Sequence, residues 1–485
     1  MPSPSDSARA GRRFRPAITL ALALAALVAA VPAPLRAQTG ADSTAQFDHF
    51  ANDSLPPPVA VGERWSLARC IAAALQQNGD VRVAQARSRQ ASGSALSAWN
   101  NILPSLTLGG SATRQWPPSN AVSYIVQGTD LIGGQLESRD ETVLNATVQT
   151  NLISLPGWSE KRRRDRLGQS ARQNEAETRN TVVFQVKQQY FSLLKAERLA
   201  EVARESERLA RDEETRSEAL FEVGTVARGD VLKARARRAQ TELDRIKAYN
   251  QVRIQTARLK QVIGLPPEAT ISVDPILESG VVMPDSASSV RSALVHRPRL
   301  ESAQTAERAA RAGVFGAYSV RLPLLTGSFD AVRIKTTDKI NRFDTGTEMK
   351  GVSTSDQRQA ELRVSLPIFD GLAIEGNIRQ AKGVLAEAEA NRRQLELNVA
   401  VEVQQAWLTL REAVERIGVA REGRVSAEED YNFSKSRYEL GAGTFLDLLN
   451  AEVSLAQARQ SEVEALADAR VAEADLERAI GERRY

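Results

Sequence analysis

The 485-residue sequence holds one cysteine, Cys70, and two histidines, His49 and His296, with only 5% aromatic residues. A disulfide framework needs paired cysteines and a structural zinc site needs four Cys or His ligands, so both are excluded. Nucleophile–histidine catalysis is poorly served by two imidazoles, and no other enzymatic constellation is present. Cys70, in an apolar helical stretch, reads as a small buried hydrophobe. Long apolar runs are scarce as well. The longest, Ala17–Val31, falls short of the ~20 residues that a helix needs to cross a bilayer. A surplus of one charge sign is missing from the body of the chain. The net charge is +4, and residues 1–37 account for it with Arg9, Arg12, Arg13, Arg15 and Arg36 against Asp6. No basic field steers the remainder toward nucleic acid.

What is present at the start is a targeting pattern. Arg12, Arg13 and Arg15 form a positive segment, Ala17–Val31 an apolar one, and Leu35-Arg36-Ala37 a cleavage site, so residues 1–37 read as a signal peptide. An uncleaved anchor is the alternative. Gln38 stands where a lipoprotein would have cysteine, and residues 38–64 form an N-terminal arm that carries no readable signal. An exported protein without a helical membrane span is expected.

The rest is a tandem duplication. Ala74–Ala86 aligns without gaps over Ala293–Thr305. Phe221-Glu-Val-Gly-Thr with Asp230-Val-Leu-Lys-Ala aligns over Tyr438-Glu-Leu-Gly-Ala with Asp447-Leu-Leu-Asn-Ala, and the copies end in Ile263-Gly264 and Ile480-Gly481. Repeat 1 spans 65–264, a proline-containing linker 265–288, and repeat 2 289–485. Each repeat reads as helix, two strands, very long helix, tight turn and helix. The long helices fall at about 159–222 and 372–438, roughly 95 and 100 Å at 1.5 Å per residue. The returning helices fall at about 228–264 and 445–481. With a first helix at about Asp80–Ile102, two short helices stacked end to end match one long one. Val399, Val403, Ala406, Leu410, Ala413, Ile417 and Ala420 step by four and three, a coiled-coil seam that calls for a partner.

Alternation gives strands at about 105–116, 143–152, 324–334 and 359–368. Leu106, Leu108, Gly110 and Ala112 alternate with Thr107, Ser111 and Thr113. Leu144, Ala146 and Val148 alternate with Asn145, Thr147 and Gln149. Leu325, Phe329 and Ala331 then face away from Thr326, Ser328 and Asp330, as do Ala360, Leu362, Val364, Leu366 and Ile368 from Glu361, Arg363 and Ser365. One apolar and one polar face over such lengths suits a membrane barrel strand. Four strands cannot close a barrel in lipid, because open edges leave unpaired backbone groups, so either several protomers share one barrel or the strands do not lie in a membrane. The segments 117–140 and 336–356 read as loops.

The motifs WSLARCIAAALQQNGDV from Trp65, NILPSL from Asn101, ALVHRPRL from Ala293, LRVSLPIFDGL from Leu362, FEVGT from Phe221 and YELGAGTFLDLLNAE from Tyr438 sit at matching places of the duplication. Together, over Trp65–Glu482, they resemble the TolC-like outer-membrane efflux protein family. The resemblance implies a mainly α fold with a β-barrel part: a homotrimeric α-helical barrel of long coiled-coil helices in the periplasm, joined to a shared 12-stranded transmembrane β-barrel with four strands per protomer. It implies a passive duct in the outer membrane of a Gram-negative-type bacterium, serving tripartite efflux or type I secretion. A periplasmic adaptor and an inner-membrane transporter would be its partners; no cofactor or metal is implied.

The same resemblance implies roles for the helical turns. Val223, Gly224, Thr225, Leu440, Gly441 and Ala442 match adaptor-contact tips, although Gly224 and Gly441 also suit plain helix C-caps. Asp447 matches a carboxylate ring at the pore constriction, with Asn450 where a second ring acid would stand. As an early-helix acid, Asp447 also has an ordinary reason to be there, and so has Asp230. Gly443 replaces a latching arginine, which leaves Tyr438 and Asp230 as latch candidates. The competing expectation is a periplasmic coiled-coil adaptor or scaffold without a membrane barrel, which would need neither the second long helix nor the amphipathic strand pairs.

Overall fold

The computed structural model describes residues 64–127, 129–274 and 283–481; the expected signal peptide at 1–37, all but the last residue of the expected 38–64 arm and part of the linker lie outside them. Repeat 1 contains β1 (Arg64–Trp65), α1 (Leu67–Gln77), α2 (Gly79–Ser97), β2 (Ser105–Gln115), β3 (Val122–Gln127), β4 (Asp130–Ile153), α3 (Leu155–Glu222) and α4 (Arg228–Ile263). After β5 (Ser272–Val273), repeat 2 runs through α5 (Ser286–His296), α6 (Pro298–Ser319), β6 (Leu324–Arg342), β7 (Glu348–Ser365), α7 (Ala373–Glu439) and α8 (Phe445–Ile480). The opening helix of each repeat is therefore two helices. Asn78 breaks the first pair, its side chain accepting from the backbone N–H groups of Asp80 and Val81. Pro298, at the first position of α6, marks the second break.

β2, β4, β6 and β7 form one antiparallel sheet in that order. The register aligns Leu106, Val148, Phe329 and Ala360 on one face, and Thr107, Thr147, Asp330 and Gln359 on the other. On the second face the Thr147 hydroxyl donates to Asp330 Oδ1 at 2.7 Å. The strands outrun their alternating segments. The expected loops at 117–140 and 336–356 are largely ladder, leaving only 343–347 between β6 and β7. The physical reason is that alternation records where apolar side chains are needed, whereas the backbone ladder continues past it on polar pairs: Arg139–Asp338 at 2.7 Å, Arg333–Asp356 at 2.7 Å, and Lys339–Glu348 at 2.7 Å. β3, absent from the sequence reading, pairs with β4 on the edge that β2 occupies and so continues β2 after an interruption at 116–121. At the other end β7 stops at Ser365, so Leu366 and Ile368 lie beyond the ladder; Pro367 has no N–H to extend it.

The long helices carry the packing. α3 packs along α2, α4, α6 and α8, and α7 along α6 and α8. Val399, Val403, Ala406, Leu410 and Ala413 of the α7 seam are buried against Ala469, Ala472, Leu476 and Ala479 of α8 and Ala293 of α5. Leu410 alone contributes roughly 1.5–3 kcal/mol by burial, and the alanine stripe on α8 lets the axes approach closely.

Two joints complete the stacks. The Asn78 amide donates to Val262 O at 2.7 Å where α2 meets the end of α4. The Arg297 guanidinium reaches Ala479 O at 3.5 Å at the corresponding place in repeat 2. Gly264 (φ +89°) and Gly481 (φ +81°) end the two returning helices there. A Cβ on Gly264 would lie 2.8 Å from Gln77 O, and one on Gly481 3.0 Å from Arg297 Cα. The paired Ile-Gly endings thus have a steric cause: backbone passes too close for any side chain, in a left-handed conformation that favours glycine.

Candidate functional site

The tight turns of the two helical hairpins lie at the end of the long helices away from the sheet, and both fold by the same local rule. Gly224 (φ +80°) donates to Phe221 O at 3.0 Å and Thr225 to Leu220 O at 3.0 Å. Gly441 (φ +71°) donates to Tyr438 O at 3.1 Å and Ala442 to Arg437 O at 2.8 Å. These are Schellman closures, in which two otherwise unpaired helix carbonyls are satisfied. Val223 and Leu440 at their crests are 72% and 84% exposed. Two apolar side chains on rigid turns, open to solvent, are suited to contact with another protein.

The turns differ in how the next helix starts. α8 has a full capping box: Thr444 Oγ1 accepts from Asp447 N at 3.2 Å, and Asp447 Oδ2 accepts from Thr444 N at 3.1 Å. Hydrogen bonding from Thr444, by its side chain and then its backbone, holds the Asp447 carboxyl below its ordinary value, with Arg437 adding to the effect. α4 begins at Ala227 with no side-chain cap, and Asp230 pairs with Lys233 Nζ at 3.1 Å. Asp447 and Asn450 share one exposed face of α8, opposite the buried Phe445, Leu448 and Leu455. The Tyr438 ring lies 5.8 Å from that of Phe445. Its hydroxyl faces the buried Ser217, which acts on the phenol through a side-chain hydrogen bond. Burial raises the Tyr438 phenol above its ordinary value, and Glu213 adds to this. No hydrogen bond joins Tyr438 to Asp230 among the described residues; one pair linking the two hairpins near the turns is Arg216–Glu439 at 2.8 Å. Gly443 is crowded, since a Cβ would meet Arg437 Cβ at 3.2 Å.

Just inside the turns sits a buried acidic pair that the sequence reading missed. Glu452 is 6% exposed, and its nearest cation, Arg237, is 3.4 Å away. Glu213 has a buried oxygen with no partner. Burial raises both carboxyls above their ordinary values. The available signal was Glu452 itself, an acid within the otherwise apolar stripe of Phe445, Leu448 and Leu455.

A model described as outer membrane efflux protein matches residues 70–265 and 290–482, most of the chain. The chain belongs to the outer membrane efflux protein family. It is 25% identical over 295 residues to protein CyaE of Bordetella pertussis, covering 60% of each chain. It is also 25% identical over 311 residues to the outer membrane efflux protein BepC of Brucella suis, covering 64% of this chain and 65% of that one. The chain thus spans about three fifths of the length of these relatives in alignment. Among solved structures it is similar to the outer membrane protein VceC of Vibrio cholerae, at 21% identity and a TM-score of 0.67, covering 86% of this chain and 96% of that one. That likeness establishes the shared fold, helical part and β part together. As a member of the outer membrane efflux protein family, the chain resides in the outer membrane.

Proposed function

We propose that this chain is one third of an exit duct for tripartite efflux or type I secretion. Three protomers, four strands each, close a 12-stranded barrel in the outer membrane, and their helices continue the conduit through the periplasm. The duct is passive: a periplasmic adaptor docks on the turns at 223–225 and 440–442, and an inner-membrane transporter supplies the energy.

The observation that carries this reading is the sheet. Leu106, Leu108, Leu144, Leu362 and Val364 are each more than half exposed on one face, and the β2/β3 and β7 edges have no partner strand among the described residues. In water, such a surface promotes aggregation; in lipid, open edges are intolerable, and closure with further copies satisfies both demands. An adaptor or scaffold without a barrel would have no use for that face. An aspartate at Phe329 or Leu362 would face hydrocarbon, at a cost below the ~2–4 kcal/mol of an arginine or lysine at the bilayer midplane. Detergent-extracted protein should therefore migrate as a heat-modifiable trimer, Phe329→Asp should abolish that species, and Thr326→Asp should spare it. Equal damage from both would overturn the assignment of faces.

At the other end, Asp447 and Asn450 are proposed to line the constriction, and Tyr438 and Asp230 to latch it across protomers. Asp447→Ala should leave the trimer intact and weaken cation block in planar bilayers, while Asp447→Lys should shift selectivity toward anions. Unchanged block and selectivity would reduce Asp447 to a helix cap.

A further inference from the structure

Beyond the apolar rows, the lipid-side face of the sheet changes character. Moving away from the helices, the register brings Arg333 opposite Asp356, then Lys335 beside Thr142 and Thr354, then Arg114 beside Asp140 and Thr337, and then Lys339 beside Lys350. Arg358 lies one row nearer the helices, opposite Ala331. Arg114, Arg333 and Lys339 are paired with carboxylates. Lys335, Lys350 and Arg358 are exposed and have no ion-pair partner among the described residues. On the same face a cleft of about 430 Å³ opens between Arg114, Lys339 and Lys350, with the hydroxyls of Ser138 and Thr337 on its wall and the 76%-exposed Trp116 at its edge. The two carboxylates that also line it, Asp140 and Glu137, are engaged by Arg114 and Lys339.

A cation is costly at the bilayer midplane and tolerated near the interface, so the outer rows at Arg114, Lys339 and Lys350 lie beyond the hydrocarbon. An exposed tryptophan at the same level fits an interfacial girdle. Lys350, which makes no ion pair among the described residues, together with hydroxyl donors and a preformed cleft at that level, matches a phosphate group in charge and hydrogen bonding. We propose that this cleft, with Lys350 inside it and Arg114 and Lys339 on its walls, binds the phosphate-bearing headgroup of an anionic lipid in the outer leaflet. The proposal rests on the membrane reading of the sheet; its occupant is a lipid rather than free phosphate, because the site continues directly into the apolar rows that would hold the acyl chains.

The test uses the detergent-purified full-length protein, titrated with diphosphoryl lipid A, with phosphatidylethanolamine, or with inorganic phosphate, and followed by native mass spectrometry. Diphosphoryl lipid A should bind at least tenfold more tightly than phosphatidylethanolamine and more weakly as salt rises. Lys350→Gln should lose severalfold of that affinity while keeping its helical circular dichroism, and Lys350→Arg should retain it. Arg363→Gln, on the opposite face, should lose none. Equal binding of the two lipids, undiminished binding by Lys350→Gln, or saturation by inorganic phosphate alone would overturn the site. Binding of neither lipid by protein that still migrates as a heat-modifiable trimer would overturn the site alone; loss of that trimer would overturn the membrane reading as well.

Discussion

The joints in the middle of the helical stacks and the hairpin turns at their ends both bury charge, and they treat it in opposite ways. At the repeat 2 joint Arg297 is 1% exposed, and it is answered by Glu402 at 2.6 Å and Glu177 at 3.4 Å. Arg478 approaches the same Glu402 at 2.8 Å. Burial opposes ionisation of Glu402, yet hydrogen bonds and charge from Arg297 and Arg478 outweigh it and hold its carboxyl below its ordinary value. Near the turns, Glu213 and Glu452 are desolvated with little in return, and their carboxyls are raised. A buried charge with its partner locks a geometry, whereas one without stores a cost that movement can relieve. The difference sets a joint whose buried charges are answered against a turn region whose acids are answered only in part.

Removing the partner at the joint should therefore have the largest effect. Glu402→Ala leaves Arg297 buried with only the longer contacts to Glu177 and Ala479 O, and should destabilise the helical part by about 3 kcal/mol, the low end for a broken buried pair because Glu402 keeps a water-facing edge. Glu452→Gln, the matching change near the turns, should be neutral or stabilising. Thermal unfolding followed at 222 nm in detergent reads both, and a larger loss for Glu452→Gln would invert the comparison.

Glycine substitutions sharpen it next. Gly264→Ala must accept both a left-handed backbone and a Cβ 2.8 Å from Gln77 O, whereas Gly224→Ala meets open space and faces only the backbone term, about 1–2 kcal/mol. The joint variant should lower the unfolding midpoint clearly more than the turn variant; equal shifts would mean that the close approach at the joint relaxes freely.

The two regions should also respond to acid with opposite sign. Carboxyls with raised folded values give stability that is complete below the unfolded value near ~4.3 and is lost as pH rises through the folded value. Bringing the pH from 7 down toward 5 should thus tighten the turns through Glu213 and Glu452. Glu402, whose folded value is depressed, contributes above ~4.3 and fails only as pH falls below it. Hydrogen exchange, corrected for intrinsic rates, should show protection near 445–455 rising between pH 7 and 5 while that near 399–406 stays level. Loss of protection at 445–455 over that interval would contradict the account of the buried acids.

What the sequence made readable follows the same physics. The duplication, the α7 seam and the alternating strand faces were legible because each is periodic, and burial imposes the period. The extra ladder at 122–142 and 335–356 was not, since cross-strand ion pairs such as Arg139–Asp338 leave no period in the sequence. Arg297 looked like one residue of a repeated motif, and its buried pairing with Glu402 depends on two helices more than 100 residues apart. Asp447 was visible both as an early-helix acid and by family likeness, and the capping box with Thr444 gives that acid its local partner. The approach of the Tyr438 hydroxyl to the buried Ser217 depends on how hairpins pack, which no local pattern records.

The smallest expected effect separates the two turns from each other. Thr444→Ala removes the hydroxyl that accepts from Asp447 N and turns the α8 start into a copy of the α4 start at Ala227. The loss for a Thr N-cap is typically ~1 kcal/mol, confined to the first turn of α8. Its reciprocal, Ala227→Thr, places threonine three residues before Asp230, the spacing of a capping box, and should stabilise the start of α4 once Asp230 turns from Lys233 toward the backbone. Amide exchange at 445–448 should therefore accelerate in the first variant and that at 228–231 slow in the second, so that the two together exchange the behaviour of the turns. If Thr444→Ala leaves exchange at 445–448 unchanged, contacts of Phe445 with Tyr438 rather than the cap hold that turn, and the asymmetry between the hairpins lies in packing.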